Sequence, residues 1–124
     1  MQPTPRKLTT LQMAVLIRVL REFPGQPVDL CYYPSAEDAL GYAHDFLTVF
    51  KAIGWKVNDG APAEIVNGQA LGLAFVVRER GSLPPSAEAL RDTLRIYGIE
   101  VATFCDPACD TEPGGFILTI GPPA

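Results

Sequence analysis

The sequence is poor in positive charge and in the side chains that most often carry chemistry. Ten lysines and arginines stand against fourteen aspartates and glutamates, which gives a formal net charge of −4. No basic cluster is longer than Arg6-Lys7. The composition therefore argues against nucleic acid as a partner and against an electrostatic membrane patch. With one histidine and three cysteines, the chain has little material for a metal site or a disulfide framework.

Long hydrophobic runs are also missing. The apolar stretch 11–20 is short and is interrupted by Arg18, whereas a membrane-spanning helix needs about 20 apolar residues. Arg6-Lys7 is not followed by a small-residue cleavage site, so no signal peptide is predicted. The odd, sparse cysteines indicate a reduced, intracellular protein. We therefore expect a soluble cytoplasmic protein.

The residues that are present suit one compact domain. The chain has 124 residues, of which 48% are apolar, and a globular chain of this size buries about two-thirds of the surface that its unfolded form exposes. Residues 1–8 are polar and hold two prolines, so they are predicted to form a flexible arm or linker. Residues 9–124 are predicted to form a single α/β domain.

Apolar periodicity predicts three helices and about five strands. Thr9 or Thr10 is expected to cap the first helix, and Ser35 with Asp38 forms a capping-box-like start for the second. The third helix follows Pro84 and its neighbouring proline. Residues 58–69 are predicted to be a loop. The predicted strands are residues 27–33, 55–57, 71–77, 99–104 and 116–120.

Two segments repeat one order of features. "SAEDA…FKAIGWKV" and "SAEAL…RIYGIEV" both have Ser-Ala-Glu at a helix start and a glycine, Gly54 or Gly98, at its end. Each segment is typical of a β-α-β unit, and we interpret the repeat as shared architecture rather than proven duplication. Because such crossovers are right-handed, two units give a mainly parallel sheet.

The arrangement of the strands follows from these units as a hypothesis. We expect the strands that begin at Val28 and Leu71 to lie side by side at the centre, with the units winding outward in opposite directions. The helices would then cover both faces of the sheet. The last strand, 116–120, is expected at an edge or beside strand 99–104.

Five short motifs are distributed along nearly the whole chain from Leu8. They are "PGQPV" at 24–28, "AIGWKV" at 52–57, "YGIEV" at 97–101, "DP" at 106–107 and "IGPP" at 120–123. In this order they resemble small α/β domains found after membrane-spanning segments in bacterial proteins of unknown function. The resemblance implies a domain tethered to the inner membrane in the full-length protein, and it implies no activity. The sequence differs from the pattern in having no preceding spanning helix and in carrying Cys105 and Cys109 around the "DP" pair.

The cysteines form no complete site in the sequence. Cys105 and Cys109 are spaced as C-x3-C, but a structural zinc site takes four ligands. The other candidates, Cys31 and His44, lie elsewhere in the chain. A Cys105–Cys109 disulfide is sterically conceivable but is not expected in a reducing compartment. We predict neither a metal site nor a cofactor.

Catalytic patterns are incomplete as well. The sequence has no G-x-S-x-G, G-x-G-x-x-G or G-K-[ST] motif. Cys31 and His44 form a nucleophile–base pair only on paper, because Cys31 on an inner strand is typical of an inert core thiol. Glu37 and Asp38 are explained by their place at the positive end of a helix. No catalytic residue is predicted.

One cleft is the best predicted ligand site. In an open parallel sheet, ligands bind at the carboxyl ends of the strands where the winding reverses. The loops leaving strands 27–33 and 71–77 should be neighbours there. Their tyrosines, arginines and helix starts suit a small anion or a peptide carboxylate, although strand breakers and helix caps explain the same residues. The candidate ligand-binding residues are Tyr32, Tyr33, Ser35, Arg78, Arg80 and Ser82.

The sequence favours a non-catalytic binding or regulatory domain. The alternatives are a small-molecule-binding enzyme that uses the strand-end cleft, and a homo-oligomerisation module that assembles through a sheet edge or the first helix. The expected partners are accordingly another protein, a second copy of the chain or a small anion. Any contact with a membrane would be through a tether.

Overall fold

The computed structural model describes residues 5–65, 71–79, 81–109 and 111–123 of the chain. Within these ranges three α-helices lie beside one six-stranded mixed sheet. The helices are α1 (Thr10–Leu20), α2 (Ala39–Ala52) and α3 (Pro85–Ile96). The strands are β1 (Pro27–Tyr32), β2 (Lys56–Val57), β3 (Ala63–Glu64), β4 (Leu73–Val77), β5 (Val101–Cys105) and β6 (Phe116–Ile120). The predicted α/β class is confirmed. The unexpected short strand is β3, which lies in the segment predicted to be a loop.

The strand order differs from the expected one. It is β2-β1-β6-β4-β5, and β3 also pairs with β1. β1 runs parallel to β2, β3 and β6, whereas β4 runs parallel to β5 and antiparallel to β6. The prediction that β1 and β4 are neighbours is wrong, because β6 lies between them. The prediction that the last strand lies at an edge or beside β5 is wrong for the same reason.

The two predicted β-α-β units are present. β1-α2-β2 and β4-α3-β5 each join a parallel pair of strands, and they extend the sheet outward in opposite directions. Gly54 and Gly98 follow the two helices with φ values of +75° and +76°. A side chain with a Cβ is strained at such angles, so glycine ends both helices at little steric cost.

All three helices lie on one face of the sheet, which corrects the expectation that they cover both. α1 packs against α2 and also against α3. The cause is the antiparallel relation of the two units. β1 and β4 run in opposite directions, and their crossovers lead toward opposite edges of the sheet. Because both crossovers are right-handed, these two reversals cancel and both helices lie on the same face. The fold therefore has two layers.

An aromatic cluster fills the space between α2 and the sheet. Phe50 stacks on Trp55 with ring centroids 4.9 Å apart, and Trp55 meets Phe116 edge-on at 6.2 Å. Phe116 in turn meets Phe75 of β4 at 5.1 Å. Each fully buried aromatic side chain contributes about 1.5–3 kcal/mol relative to an exposed one, so this cluster ties both units to the central strand.

The predicted cap of α1 is confirmed, whereas the cap of α2 is wrong. The Thr9 side chain accepts a hydrogen bond from the Gln12 N–H at 3.1 Å, and the Gln12 side chain accepts one from the Thr9 N–H at 2.9 Å. The second helix begins at Ala39 with no side-chain cap. The Asp38 carboxylate is bound by Arg6 instead, so the box expected with Ser35 does not form.

The end of the predicted arm is held on α2. The Arg6 guanidinium donates to both oxygens of Asp38 at 2.8 and 2.9 Å, and it lies 5.3 Å from the centre of the Tyr42 ring. Leu8 is buried, and its N–H donates to the Asp45 carboxylate at 2.9 Å. Arg6 and Leu8 are therefore held against α2, whereas a flexible arm was predicted for residues 1–8. Residues 1–4 lie outside the described residues.

No helix in the described ranges combines the length and the apolar composition that a membrane-spanning helix needs.

Candidate functional site

The predicted cleft between two strand ends is not formed. Because β6 is parallel to β1 and antiparallel to β4, β1 and β4 run in opposite directions. Their carboxyl ends therefore lie at opposite edges of the sheet, with Tyr33 at one and Arg78 at the other. The site rule for open parallel sheets assumes that both strands end at the same edge, and that condition fails here.

The side chains predicted for the cleft make separate hydrogen bonds, although Arg78 and Ser82 line one hollow of about 220 Å³. The Tyr32 hydroxyl donates to Glu64 of β3 at 3.2 Å, and burial together with that carboxylate raises the pKa of Tyr32. The Arg78 guanidinium donates to the Cys109 carbonyl oxygen at 3.1 Å, and the Ser82 hydroxyl donates to the Glu79 carbonyl oxygen at 2.6 Å.

The remaining candidates add no shared site. Ser35 is exposed and Tyr33 is half-buried, next to each other at the end of β1. The prediction for Arg80 falls outside the described residues.

The cysteines and the histidine are dispersed. Cys105 is exposed at the end of β5, Cys109 is buried in the following loop and Cys31 is half-buried on β1; none of the three is in a disulfide. His44 is exposed on α2. In the part of the chain that the structure describes, no three His, Cys, Asp or Glu side chains are grouped to hold a metal ion.

Two of the residues considered for catalysis have pKa values that suit structural roles. Burial, reinforced by the nearby charge of Asp29, raises the pKa of the Cys31 thiol to about 11. Its thiolate, which is the nucleophilic form, is therefore scarce at neutral pH. The hydrogen bonds from Arg6 lower the pKa of Asp38 to about 2, against the opposing effect of burial. Asp38 is thus an ionised partner of Arg6.

One row of side chains crosses the sheet on the face away from the helices. Strand register places Asp29 of β1 beside Ile117 of β6, Ile117 beside Val76 of β4, and Val76 beside Phe104 of β5. The first three are half-buried, and Phe104 is 52% exposed. We name these four residues the open row. Neighbouring strands are about 4.8 Å apart, so the row is roughly 14 Å long.

A polar hollow lies at the Asp29 end of the open row. It has a volume of about 370 Å³ and opens between the amino ends of β1 and β6 and the turn after β2. Among the described residues that line it, three carry a carboxylate and Lys56 carries an ammonium group, which lies 2.7 Å from the Glu112 carboxylate. The hollow is therefore acidic. Its polar and charged lining residues are Asp29, Lys56, Asn58, Asp59, Thr111 and Glu112.

Backbone geometry helps to shape this acidic hollow. Asp59 has φ = +60°, and it is the only non-glycine residue with a positive φ among those described. Aspartate tolerates this left-handed conformation better than most side chains. A second hollow of about 220 Å³ adjoins the first through Thr111, Glu112 and Gly115, and is lined by Arg78 and other residues.

Sequence patterns predicted the parts of this surface but not their assembly. Alternation along β1 correctly placed Asp29 and Cys31 on the face opposite Val28. The position of β6 was needed to bring Ile117 between Asp29 and Val76. The "DG" dipeptide at 59–60 correctly marked a turn, but the turn gave no sign of what it lines.

Comparisons with known proteins give no assignment for this arrangement. The chain matches no protein-family model, no curated protein and no solved structure.

Proposed function

We propose that this domain is a non-catalytic protein-binding module, and that its partner is an amphipathic segment with a lysine or arginine at one end. The apolar side chains of the segment lie along the open row, and its basic side chain enters the acidic hollow. The single observation that carries the proposal is the continuity of these two surfaces through Asp29, which belongs to both.

Charge supports a basic partner. The described lining of the acidic hollow has three carboxylates and one ammonium group, and the whole chain has a formal charge of −4. Complementary charges speed the encounter of two proteins and fix their orientation more than they add affinity. The apolar part of the row supplies surface to bury, and Phe104, at 52% exposure, is its largest unburied side chain.

The resemblance of the sequence to domains that follow membrane spans extends the same proposal. A small α/β module attached to such a span would hold a partner close to the membrane. The enzyme alternative has no specific support in the geometry. The anion-binding alternative is not favoured either, because the loops expected to form its cleft lie at opposite edges of the sheet.

Binding of designed peptides tests the proposal. The probe is a fluorescein-labelled amphipathic peptide of about twelve residues, with leucines along one face and lysines at one end; a glutamate-for-lysine version is its control. We expect fluorescence anisotropy to detect binding of the lysine peptide only. The double variant Asp59→Asn, Glu112→Gln should weaken binding by about fivefold or more, which corresponds to roughly 1 kcal/mol.

A matched variant separates the acidic hollow from the general negative charge. Asp92 is an exposed carboxylate on α3, on the opposite side of the sheet. Asp92→Asn should leave binding unchanged, because a distant exposed charge is screened by salt. Weakening by Asp92→Asn that is as large, per charge removed, as that of the double variant would show that only net charge matters, and the proposed site would be abandoned.

A further inference from the structure

The two edges of the sheet are built differently. At one edge, β2 and β3 have only two residues each and carry Lys56 and Glu64, with Pro62 between them. Short strands, charges and proline are the usual devices that prevent a sheet edge from pairing with another chain. At the other edge, β5 has five residues, "VATFC", with no charge, proline or glycine. The β5 edge lacks these devices.

Hydrogen bonding shows which groups of β5 face outward. The Asp106 N–H donates to the Val77 carbonyl oxygen of β4 at 2.8 Å. Backbone groups of successive strand residues point to alternate sides, so Ala102 and Phe104 share the direction of Asp106. The N–H and C=O groups of Val101, Thr103 and Cys105 therefore point away from β4, toward the free edge.

From this pattern we infer that two copies of the chain pair through β5, antiparallel and centred on Thr103. In this register Thr103 faces Thr103 of the second copy, and Val101 faces Cys105 of the second copy. All the outward groups of β5 then find partners, giving about six hydrogen bonds between the copies. Shifting the register by two residues leaves only about four.

Side-chain size agrees with the same register. Phe104 of one copy lies opposite Ala102 of the other, so a large side chain faces a small one on the open face. Such pairs are the closely spaced kind in an antiparallel ladder, which lets the Phe104 ring cover Ala102. Threonine pairs across strands also stabilise a sheet. Phe104, now 52% exposed, becomes partly buried.

Charge gives the pairing a distinctive signature. The register places Glu100 near Asp106 of the second copy at both ends of the interface, and these like charges repel. Arg95 lies 3.8 Å from Glu100 and offsets part of this repulsion. Added salt should therefore strengthen the dimer, because it screens exposed charges. Glu100→Gln should tighten it about two- to fivefold.

The dimer is expected to be weak. An edge of five residues buries far less than the area of a standard interface, so we expect a Kd on the order of 10–100 µM. Pairing through β5 and the peptide binding proposed above share Phe104 but not the acidic hollow, which lies at the other end of the open row. The peptide assay at low micromolar protein would report on the monomer.

Cysteine cross-linking tests the register directly. In a Cys105→Ser background, Thr103→Cys places two thiols on residues whose Cα atoms are about 5.5 Å apart, within disulfide range. Phe104→Cys is the matched control, because its two copies would be about 8–9 Å apart, beyond that range. We expect mild oxidation to cross-link the Thr103→Cys protein and not the control or the background protein. Equal or faster cross-linking of Phe104→Cys would overturn the register.

Sedimentation at about 5–500 µM protein, a range that brackets the expected Kd, tests the dimer without added thiols. The parent should move from monomer to dimer, and Thr103→Lys should stay monomeric, because it sets two ammonium groups opposite each other. Thr103 is exposed, so a melt of Thr103→Lys should match that of the parent. A parent that stays monomeric throughout would refute self-pairing and leave the edge to a strand of another protein.

Discussion

The contact between Arg6 and Asp38 gives the most quantitative test of the structure. Arg6 makes a two-pronged hydrogen bond to the carboxylate at 2.8 and 2.9 Å, and its backbone N–H adds a third at 2.8 Å. The two side chains are only 20% and 14% exposed. Such forked, charge-assisted pairs are stronger than ordinary surface ion pairs. We predict that this one measurably anchors the amino-terminal segment.

The size of the effect follows from the pKa of Asp38. Arg6 lowers it from 3.8 to about 2, a change that corresponds to at most about 2.5 kcal/mol. Screening by solvent reduces this to about 1–2 kcal/mol. A double-mutant cycle with Arg6→Gln and Asp38→Asn, followed by urea denaturation, should return a coupling energy in that range. The contact between Lys56 and Glu112 is the control, since its side chains are 65% and 53% exposed at a similar distance of 2.7 Å.

The pH dependence of this contact has a definite sign. Because folding lowers the pKa of Asp38, the stabilisation is complete above about pH 4 and is lost as the pH falls toward about 2. The Asp38→Asn variant should lose less stability than the parent over this interval. A coupling energy below about 0.5 kcal/mol, equal to that of the exposed control pair, would refute the anchoring of the segment.

Three further outcomes test the core, the cap and the thiols. Phe46→Ala should lower the free energy of unfolding in urea by about 3–5 kcal/mol, because Phe46 is fully buried. The control Leu40→Ala, at a 41% exposed position, should change it by only about 0.5 kcal/mol. Similar losses in the two variants would contradict the described packing of α2. Thr9→Ala should cost about 1 kcal/mol in a thermal melt, since it removes the capping box, and an unchanged melt would show that the box is not needed. Cys31, with a pKa of about 11, should react with a thiol reagent at pH 8 much more slowly than exposed Cys105. Equal rates in single-cysteine variants would show that β1 opens to solvent.

Local features of the fold were predictable because local physics decides them. Gly54 and Gly98 ended their helices as expected, since only glycine adopts their backbone angles without strain. The strand at 116–120 was predicted with its observed bounds from its apolar run. Strand β3 was missed because Ala63 and Glu64 are exposed and too few to show a period.

The order of the strands was not decided by local pattern. Residues 71–77 and 116–120 are both nearly continuous apolar runs, and such runs indicate strands that are buried in a sheet. The pattern does not say which neighbour each strand chooses. The expected site failed with the expected order, because Tyr33 and Arg78 share an edge only if their strands run in the same direction.

The position of one strand decides which face of the sheet the helices leave uncovered. Had the two β-α-β units met directly as parallel neighbours, helices would cover both faces and the surface for a ligand would lie at the strand ends. With β6 between β1 and β4, the units run in opposite directions and their helices share one face. The other face keeps the open row from Asp29 to Phe104, with an acidic hollow at one end and the unprotected β5 edge at the other. The proposed binding along this row thus depends on the insertion of β6, because a rearrangement that made the two units parallel neighbours would place a helix over this face.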